Sequence, residues 1–322
     1  FAALLLIITA CIDGDWFNYR NMVLEYDLSP GAFNYGEPVY YYIIQFVGKN
    51  YFLFRMVVWG GAFLLTLGLC KRMDVNINIA VFFIVAVFLI KFNYPRATLG
   101  MVSYFLGLSY LLKPMKKKFI FNILIAAVLM WSAYEFHHSM LLLIVLTPAV
   151  LVPMDKPFLA IAAMLLLPTI ASFISSNFFL IDLTENEYIM EKMERNLERE
   201  GNAANIFGII QNVLNYGVFV LPFVIDTMVV FKKRVEIPVP MLKIFNITIS
   251  IAILSASFAL MNLNSSVFVY RILYMSFIPL TLLTVYFYER KLMSKKSYLI
   301  IVLWGILTIS SILLHLIYKF FK

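Results

Sequence analysis

Long apolar runs separated by short polar breaks occupy most of the chain. The apolar positions do not alternate with polar ones, so runs of about 20 residues are typical of bilayer-crossing helices and not of barrel strands. The runs lie at about residues 1–12, 51–70, 77–92, 97–112, 119–135, 138–153, 157–175, 206–231, 241–261, 267–288 and 297–318. This pattern predicts an all-α, polytopic integral membrane protein with about 11 transmembrane helices, in a range of roughly 10 to 12.

The composition agrees with this pattern. Hydrophobic residues make up 62% of the chain and charged residues 14%, a balance far from that of a soluble domain. We find no internal repeat, low-complexity segment or soluble domain, so residues 1–322 are predicted to form a single membrane domain. The run at 1–12 spans only about 18 Å as a helix, and we expect a truncated transmembrane helix there rather than a signal-peptide core.

Basic residues collect in one set of predicted loops and acidic residues in the other. By the positive-inside rule, the basic loops are cytoplasmic and the acidic ones face outward. The basic set is Lys71, Arg72, Lys113, Lys116, Lys117, Lys118, Lys156, Lys232, Lys233, Arg234, Arg290, Lys291, Lys295 and Lys296, and the acidic set is Asp13, Asp15, Glu25, Asp27, Glu37, Glu135 and the stretch after Ser176. The net charge of +8 therefore indicates topology and contact with the leaflet, and does not indicate nucleic-acid binding.

Two predicted outer-face segments do not cross the membrane. In residues 13–50, Pro38 suits the first turn of a helix that ends near Val47. This helix is too short to span, so we expect it to be interfacial or re-entrant, with its tyrosines at headgroup depth. In residues 176–205, a capping box that starts at Thr184 precedes an amphipathic helix. That helix is either a solvated surface element or a lid over a cavity that opens outward.

Arginines that interrupt or border apolar runs are the first candidates for chemistry. Arg96 opens the run at 97–112, and Arg271 lies a few residues inside the run at 267–288. Arg55 has a similar position near the start of an earlier run. An arginine at the bilayer centre costs roughly 2.5 to 3.5 kcal/mol on insertion scales, and less near an interface. These residues either bind an anion or only extend to the interface.

A titratable turn lies between two further runs. Glu135, His137 and His138 occupy this turn, which should be slightly sunken because the preceding run spans only about 26 Å. Histidine, with an ordinary pKa near 6.5, suits proton exchange at neutral pH. Adjacent histidines point in different directions on a helix, so the two are not expected to act together. A structural hydrogen bond is the alternative role for either one.

The cysteines and carboxylates give little indication of a metal. Cys11 and Cys70 fall at opposite predicted faces, which keeps them from pairing, and the sequence contains no metal-binding cysteine cluster. Asp13 with Asp15 could hold an ion, but arginines can neutralise an anion without one. We therefore expect no metal and no other cofactor.

The order of these motifs resembles the EpsG family of Wzy-like polymerases, which make bacterial O-antigen, exopolysaccharide and capsule. The resemblance extends from Asp13 to about Tyr274. It rests on Asp13-Gly14-Asp15 followed by Trp16 and Tyr19, then Glu37-Pro38 with Tyr40, then Arg96, then Phe136-His137 with Ser139, and finally Tyr270-Arg271.

The resemblance implies a GT-C-like, metal-independent glycosyltransferase in the bacterial cytoplasmic membrane, with an active site facing the periplasm or exterior. It would transfer a growing glycan from undecaprenyl diphosphate to a lipid-linked repeat unit. Arg96 and Arg271 would hold the diphosphate, and His137 would deprotonate the acceptor, with Glu135, Asp15 or Glu37 as rival bases. Substrate-binding residues would include Arg55, Glu37, Tyr40, Asp13, Trp16, Tyr19, Tyr94, His138, Tyr270 and Tyr274. Partners would be the lipid-linked donor and acceptor, the bilayer, and chain-length regulator and flippase proteins.

Three other functions fit parts of the pattern. A transporter or flippase of lipid-linked oligosaccharide also needs intramembrane cations, although we detect no symmetry between the halves of the chain. An acyltransferase that modifies polysaccharide would need a cytoplasmic thioester donor, whereas the polar candidates lie on the outer face. A scaffold in an export complex would tolerate replacement of the arginines.

Overall fold

The computed structural model describes residues 20–21, 23–24, 38–83, 95–115, 118–151, 226, 236–261, 274–303, 306 and 310. These residues form helices, and no strand occurs among them, which confirms the all-α prediction for this part of the chain. The helices are α1 (Pro38–Val47), α2 (Tyr51–Met73), α3 (Ile77–Phe83), α4 (Pro95–Leu112), α5 (Phe119–Phe136), α6 (Met140–Leu151), α7 (Val239–Met261) and α8 (Phe277–Glu289). Residues 295–303 are also helical.

Two of the described helices are long and apolar enough to cross a membrane. They are α2, with 23 residues and a mean hydropathy of 1.8, and α5, with 18 residues and 1.7. The predicted bounds of α2, α4, α5 and α7 differ from the observed ones by at most three residues. The predicted helices at 1–12 and 157–175, the segment 176–205 and all of 206–231 except Asp226 lie outside the described residues.

The chain divides into two compact units. The first comprises Phe1–Val145, Ile225–Glu236 and Thr281–Lys322, and the second comprises Leu146–Val224 and Ile237–Leu280. The prediction of a single membrane domain stays a prediction. In the second unit, α7 buries most of its described side chains, and the Thr248 hydroxyl donates to the carbonyl of Ile244 (2.7 Å). This hydrogen bond satisfies the Thr248 hydroxyl, which would otherwise be costly to bury among apolar side chains.

Helix α4 is the central helix of the first unit and runs parallel to α2. Leu99 of α4 rests on Gly61 of α2, and Leu106 rests on Gly68, because a methyl group at either glycine would lie 3.6 or 3.7 Å from the leucine. Both pairs are 38 residues apart in the sequence. A residue of α2 is therefore level with the residue of α4 that is numbered 38 higher.

Helix α5 packs closely against α4 in the opposite direction. A methyl group at Gly100 would lie 3.0 Å from the carbonyl oxygen of Ala133, and one at Gly107 would lie 3.1 Å from that of Ala126. In each pair the two residue numbers add up to 233, so a residue of α4 is level with the residue of α5 whose number is 233 minus its own. Between these contacts, the Ser103 hydroxyl donates to the carbonyl of Leu129 (2.8 Å). The two glycines let the backbones approach, as small residues do in membrane helix pairs.

The rest of the α5 surface is apolar and exposed. Asn122, Ala126 and Ala133 form its narrow buried stripe. The large apolar side chains exposed on this helix are Phe119, Ile120, Phe121, Ile123, Leu124, Val128 and Trp131. A surface of this kind is typical of a helix that faces lipid.

The short helix α1 begins at Pro38 and ends at Val47, as the sequence predicts. Gly48 and Lys49 then take left-handed conformations (φ 60° and 63°), and Asn50 caps α2 by accepting a hydrogen bond from Leu53 N–H (3.0 Å). The expectation that the tyrosines of α1 lie at headgroup depth stays a prediction, and Tyr40 faces the protein interior. Its side chain is 1% exposed, because it packs in an apolar cluster with Ile44, Phe54, Val58 and Leu99.

At the other end of the first unit, Arg72 joins the C-terminal ends of α2 and α4. Its Nε donates to the Ser109 hydroxyl (3.1 Å), its Nη2 donates to the carbonyl of Lys113, and its guanidinium stacks 3.7 Å from the Tyr110 ring centroid. Lys113 pairs with Asp74. Arg72 lies on the helix itself and not in a loop as predicted, because α2 continues to Met73.

Candidate functional site

The packing of α4 on its two neighbours brings three predicted site residues to one level. The antiparallel register with α5 makes Arg96 level with His137. The parallel register with α2 makes Arg96 level with Val58, which is three residues, or about 4.5 Å along the axis, from Arg55. Arg55, Arg96 and His137 therefore lie within about one helical turn of the same level along the helix axes, on α4 and the two helices that pack against it. We call this level of the first unit the arginine–histidine layer.

Arg55 is buried in the protein. Its side chain is 2% exposed and lies on the packed face of α2, between Phe54 and Val58. Its guanidinium carbon is 5.4 Å from the centroid of the Trp59 ring, a distance at which the ring face attracts a cation. The alternative that Arg55 only extends to the interface does not fit this burial.

Arg96 is the second residue of α4, directly after Pro95. Proline suits this first position because its missing N–H has no partner in the helix anyway. The N-terminus of a helix carries a partial positive charge, so a cation in the first turn is unfavourable unless an anion lies nearby. No acidic residue occupies the first turn of α4. The start of α4 therefore has an arginine in its sequence beside backbone N–H groups that attract an anion.

His137 ends α5 as its C-cap and is held by Ser139. The Ser139 backbone N–H donates to His137 Nδ1 (3.2 Å), and the Ser139 hydroxyl lies 2.8 Å from the same nitrogen. A backbone N–H can only donate, so Nδ1 is an acceptor and the neutral ring carries its proton on Nε2. In this tautomer His137 offers a hydrogen-bond donor. The base role requires the other tautomer and stays a prediction.

Glu135 and His138 lie away from the packed stripe of α5. Glu135 is four residues after the exposed Trp131 and seven after the exposed Val128, which puts it on the side opposite Ala126 and Ala133. His138 stacks on Tyr134 with 4.6 Å between the ring centroids, and Tyr134 is 6.1 Å from Trp131. These rings form a row of stacked aromatic side chains on the exposed side of α5, away from its packed stripe.

Tyr40 packs against residues that are next to Arg55 and His137 in the sequence. Its ring centroid is 6.2 Å from that of Phe54 and 6.4 Å from that of Phe136, which precedes His137. In the second unit, Tyr274 is buried and packs edge-on against Phe277 (5.3 Å between centroids). Eight predicted site residues lie outside the described part of the chain, namely Asp13, Asp15, Trp16, Tyr19, Glu37, Tyr94, Tyr270 and Arg271, and of Arg96 only the backbone is described.

The sequence analysis missed Trp59, Asp226 and the contact of Ser139 with the imidazole of His137. Trp59 could have been found, because it follows Arg55 at the spacing of four that brings helical side chains together. Ser139 could have been found from its place two residues after His137. Asp226 gives no such signal. It is 1% exposed and accepts hydrogen bonds from the Ser294 N–H (2.9 Å) and the Ser297 hydroxyl (2.8 Å).

Within the described ranges, no group of three or more His, Cys, Asp or Glu side chains is arranged to hold a metal ion. The described residues of the arginine–histidine layer are two arginines, a histidine and the start of a helix, and these supply cations and hydrogen-bond donors. Such a set suits an anion with several oxygens. Comparisons of the chain with protein-family models, with curated proteins and with solved structures gave no match.

Proposed function

We propose that this chain is a multi-pass membrane glycosyltransferase that polymerises a bacterial surface polysaccharide. It would transfer a growing glycan from undecaprenyl diphosphate to a lipid-linked repeat unit at the outer face of the cytoplasmic membrane. The observation that supports this most directly is the arginine–histidine layer. Arg55, Arg96 and His137 come from separate stretches of sequence, yet lie within about one turn of the same level along the axes of packed helices.

The chemistry of this layer matches the leaving group of such a transfer. The acceptor hydroxyl oxygen forms a bond to the anomeric carbon of the donor, and the bond from that carbon to the diphosphate oxygen breaks. The diphosphate leaves with the electron pair, so negative charge grows on its oxygens, and the hydroxyl proton passes to a base. Arg96 and the start of α4 would stabilise that growing charge, with Arg55 behind them and His137 Nε2–H as a further donor.

The apolar surface of α5 supports the membrane part of the proposal. Its 18 residues span about 27 Å, and its exposed side chains from Phe119 to Val128 include no charged residue. Trp131 and Tyr134 lie toward the same end of α5 as His137, at the place where aromatic residues favour the membrane interface. The layer would then lie near headgroup depth, where a lipid diphosphate is found.

A polymerisation assay tests this proposal. Purified protein is incubated with the lipid-linked repeat unit isolated from the cells that encode it, and the products are separated on a gel. Wild-type protein should give a ladder of increasing length. Arg96→Ala or Arg271→Ala should lower the rate by about 10²- to 10³-fold, the loss typical of removing a preorganised donor. Arg96→Lys should restore only part of it, because an ammonium lacks the planar fork of donors.

Lys118→Ala provides the matched control. Lys118 is exposed and precedes α5 at the end opposite His137. Its removal takes away a positive charge without touching the layer, so the ladder should be unchanged. A wild-type protein that yields no longer products from a substrate known to be active would contradict the proposal. So would an Arg96→Ala variant that polymerises normally.

A further inference from the structure

An exposed basic turn links α8 to the helix that starts at residue 295. It contains Arg290, Lys291, Lys295 and Lys296, all of them exposed, against one acidic residue, Glu289. We refer to these four residues as the basic turn.

Aromatic and apolar side chains border the basic turn on the outside of the protein. Tyr288 and Tyr298 stack with 5.6 Å between their ring centroids, at 39% and 44% exposure. Leu299, Leu303 and Ile306 follow at spacings of four and three, so they form one outward stripe, and each is more than half exposed. The surface thus changes from basic to aromatic to apolar along one helix.

Backbone hydrogen bonds fix the shape of the basic turn. Leu292 N–H donates to the carbonyl of Phe287 (2.8 Å), and Lys291 N–H donates to that of Tyr288 (3.0 Å), which is the Schellman pattern at the end of α8. On the far side, Asp226 accepts from the backbone N–H of Ser294, which precedes the next helix. The basic side chains therefore project from a backbone that is already ordered.

Lys291 occupies a position that favours glycine. Its φ of 54° is left-handed, a conformation that is strained for an L-residue with a side chain. Replacing Lys291 with glycine would therefore remove the positive charge and relieve the backbone strain at the same time.

The basic turn lies at the end of the first unit away from the arginine–histidine layer. Glu289 is close enough to Cys70 for the two to interact electrostatically, and Cys70 is near the C-terminal end of α2. Arg55 is 15 residues earlier on α2, about 22 Å along its axis. The basic turn is therefore separate from the candidate functional site.

From this surface we infer a binding site for the headgroups of anionic phospholipids at the basic turn. Four cations complement the phosphate and net charge of such lipids, tyrosines favour the headgroup region, and the apolar stripe would lie against the acyl chains. The basic, aromatic and apolar side chains follow one another in the same order as the charged headgroups, the interface and the acyl chains of a leaflet. Zwitterionic lipids offer the same acyl chains without net charge. Binding at this site does not depend on glycosyl transfer.

Native mass spectrometry of the full chain in detergent tests this inference. The protein is titrated with phosphatidylglycerol and, separately, with phosphatidylcholine of the same acyl chains, and the fraction of lipid-bound protein is measured. Phosphatidylglycerol should bind more tightly. Lys291→Gly should weaken its binding about fivefold, the value typical of one basic residue at an anionic surface. Lys295→Gln with Lys296→Gln should weaken it by about 25-fold if the charges act independently.

The variant Lys291→Gly separates loss of charge from loss of fold, because glycine relieves the left-handed backbone. Lys49→Gly is its matched control. Lys49 has a φ of 63° and precedes α2, so this variant makes the same chemical change at the opposite end. It should leave phosphatidylglycerol binding unchanged.

Equal binding of the two lipids by the wild type would overturn the inference, as would equal losses in Lys291→Gly and Lys49→Gly. Competition by free glycerol phosphate at concentrations similar to those of the lipid would also overturn it, because the site would then take a soluble phosphate. An absent polymer ladder would leave all of these lipid-binding results valid.

Discussion

At the scale of single residues, the hydrogen bonds of His137 define a sharp test of its role. If Nε2–H is a donor, His137→Gln should keep most of the activity, because the glutamine amide nitrogen lies near the same position and also donates. His137→Ala should lose about 10²-fold. If His137 is instead the general base, both variants should lose activity equally and the dependence of the rate on pH should change, since an amide does not take up a proton. Initial rates measured across pH distinguish the two roles.

The residue types and positions of the candidate site could be predicted, but the side chains that contact these residues could not. Charged side chains in apolar runs stand out because they are costly there, which is how Arg55, Arg96 and the turn at His137 are found. The tautomer of His137 depends on the Ser139 N–H donating to Nδ1, which the spacing of the two residues allows but does not require. The burial of Tyr40 depends on Phe54 and Phe136, which are distant in the sequence.

At the scale of helices, Gly100 should control how closely α4 and α5 pack. In Gly100→Ala the new methyl group would meet Met140 Cγ at 2.9 Å and the backbone oxygen of Ala133 at 3.0 Å. The methionine can move, but the backbone oxygen moves only with α5. We expect a loss of about 1 to 3 kcal/mol of stability, seen as a lower midpoint of thermal unfolding in detergent.

Gly60→Ala is the control for this change. Gly60 lies inside α2, and a methyl group there would have no atom within 4 Å. Alanine should therefore stabilise α2 by roughly 0.5 to 1 kcal/mol through its better helix propensity. Equal unfolding midpoints for Gly100→Ala and the wild type would show that α4 and α5 do not need their close contact.

Helix bounds follow well from the sequence, whereas helix registers do not. The hydrophobic runs predict α5 to within one residue, because the polar breaks around it end the run on both sides. The register of α4 on α5 is set by which glycines allow a close approach, and the chain has 13 glycines to choose from. The alignment of Arg96 with His137 follows from that register. The arginine–histidine layer therefore could not be predicted from the sequence alone.

At the scale of the whole molecule, two groups of basic residues lie at opposite ends of the first unit. Arg72, Lys113 and the basic turn lie toward the C-terminal ends of α2 and α4, and the arginine–histidine layer lies toward their N-terminal ends. This agrees with the sequence-based grouping of basic loops. If α2 crosses the membrane, then by the positive-inside rule its N-terminal end is outside and its C-terminal end inside.

Labelling with a membrane-impermeant maleimide tests this orientation in spheroplasts. In a background of Cys11→Ser and Cys70→Ala, Gln45→Cys places a thiol on the exposed surface of α1, and Lys295→Cys places one at the basic turn. Gln45→Cys should react in intact spheroplasts, and Lys295→Cys should react only after lysis, because the two positions lie at opposite ends of α2. The reverse pattern would put the arginine–histidine layer in the cytoplasmic half of the membrane. A transferase acting on outward-facing lipid-linked sugars would then have no access to it.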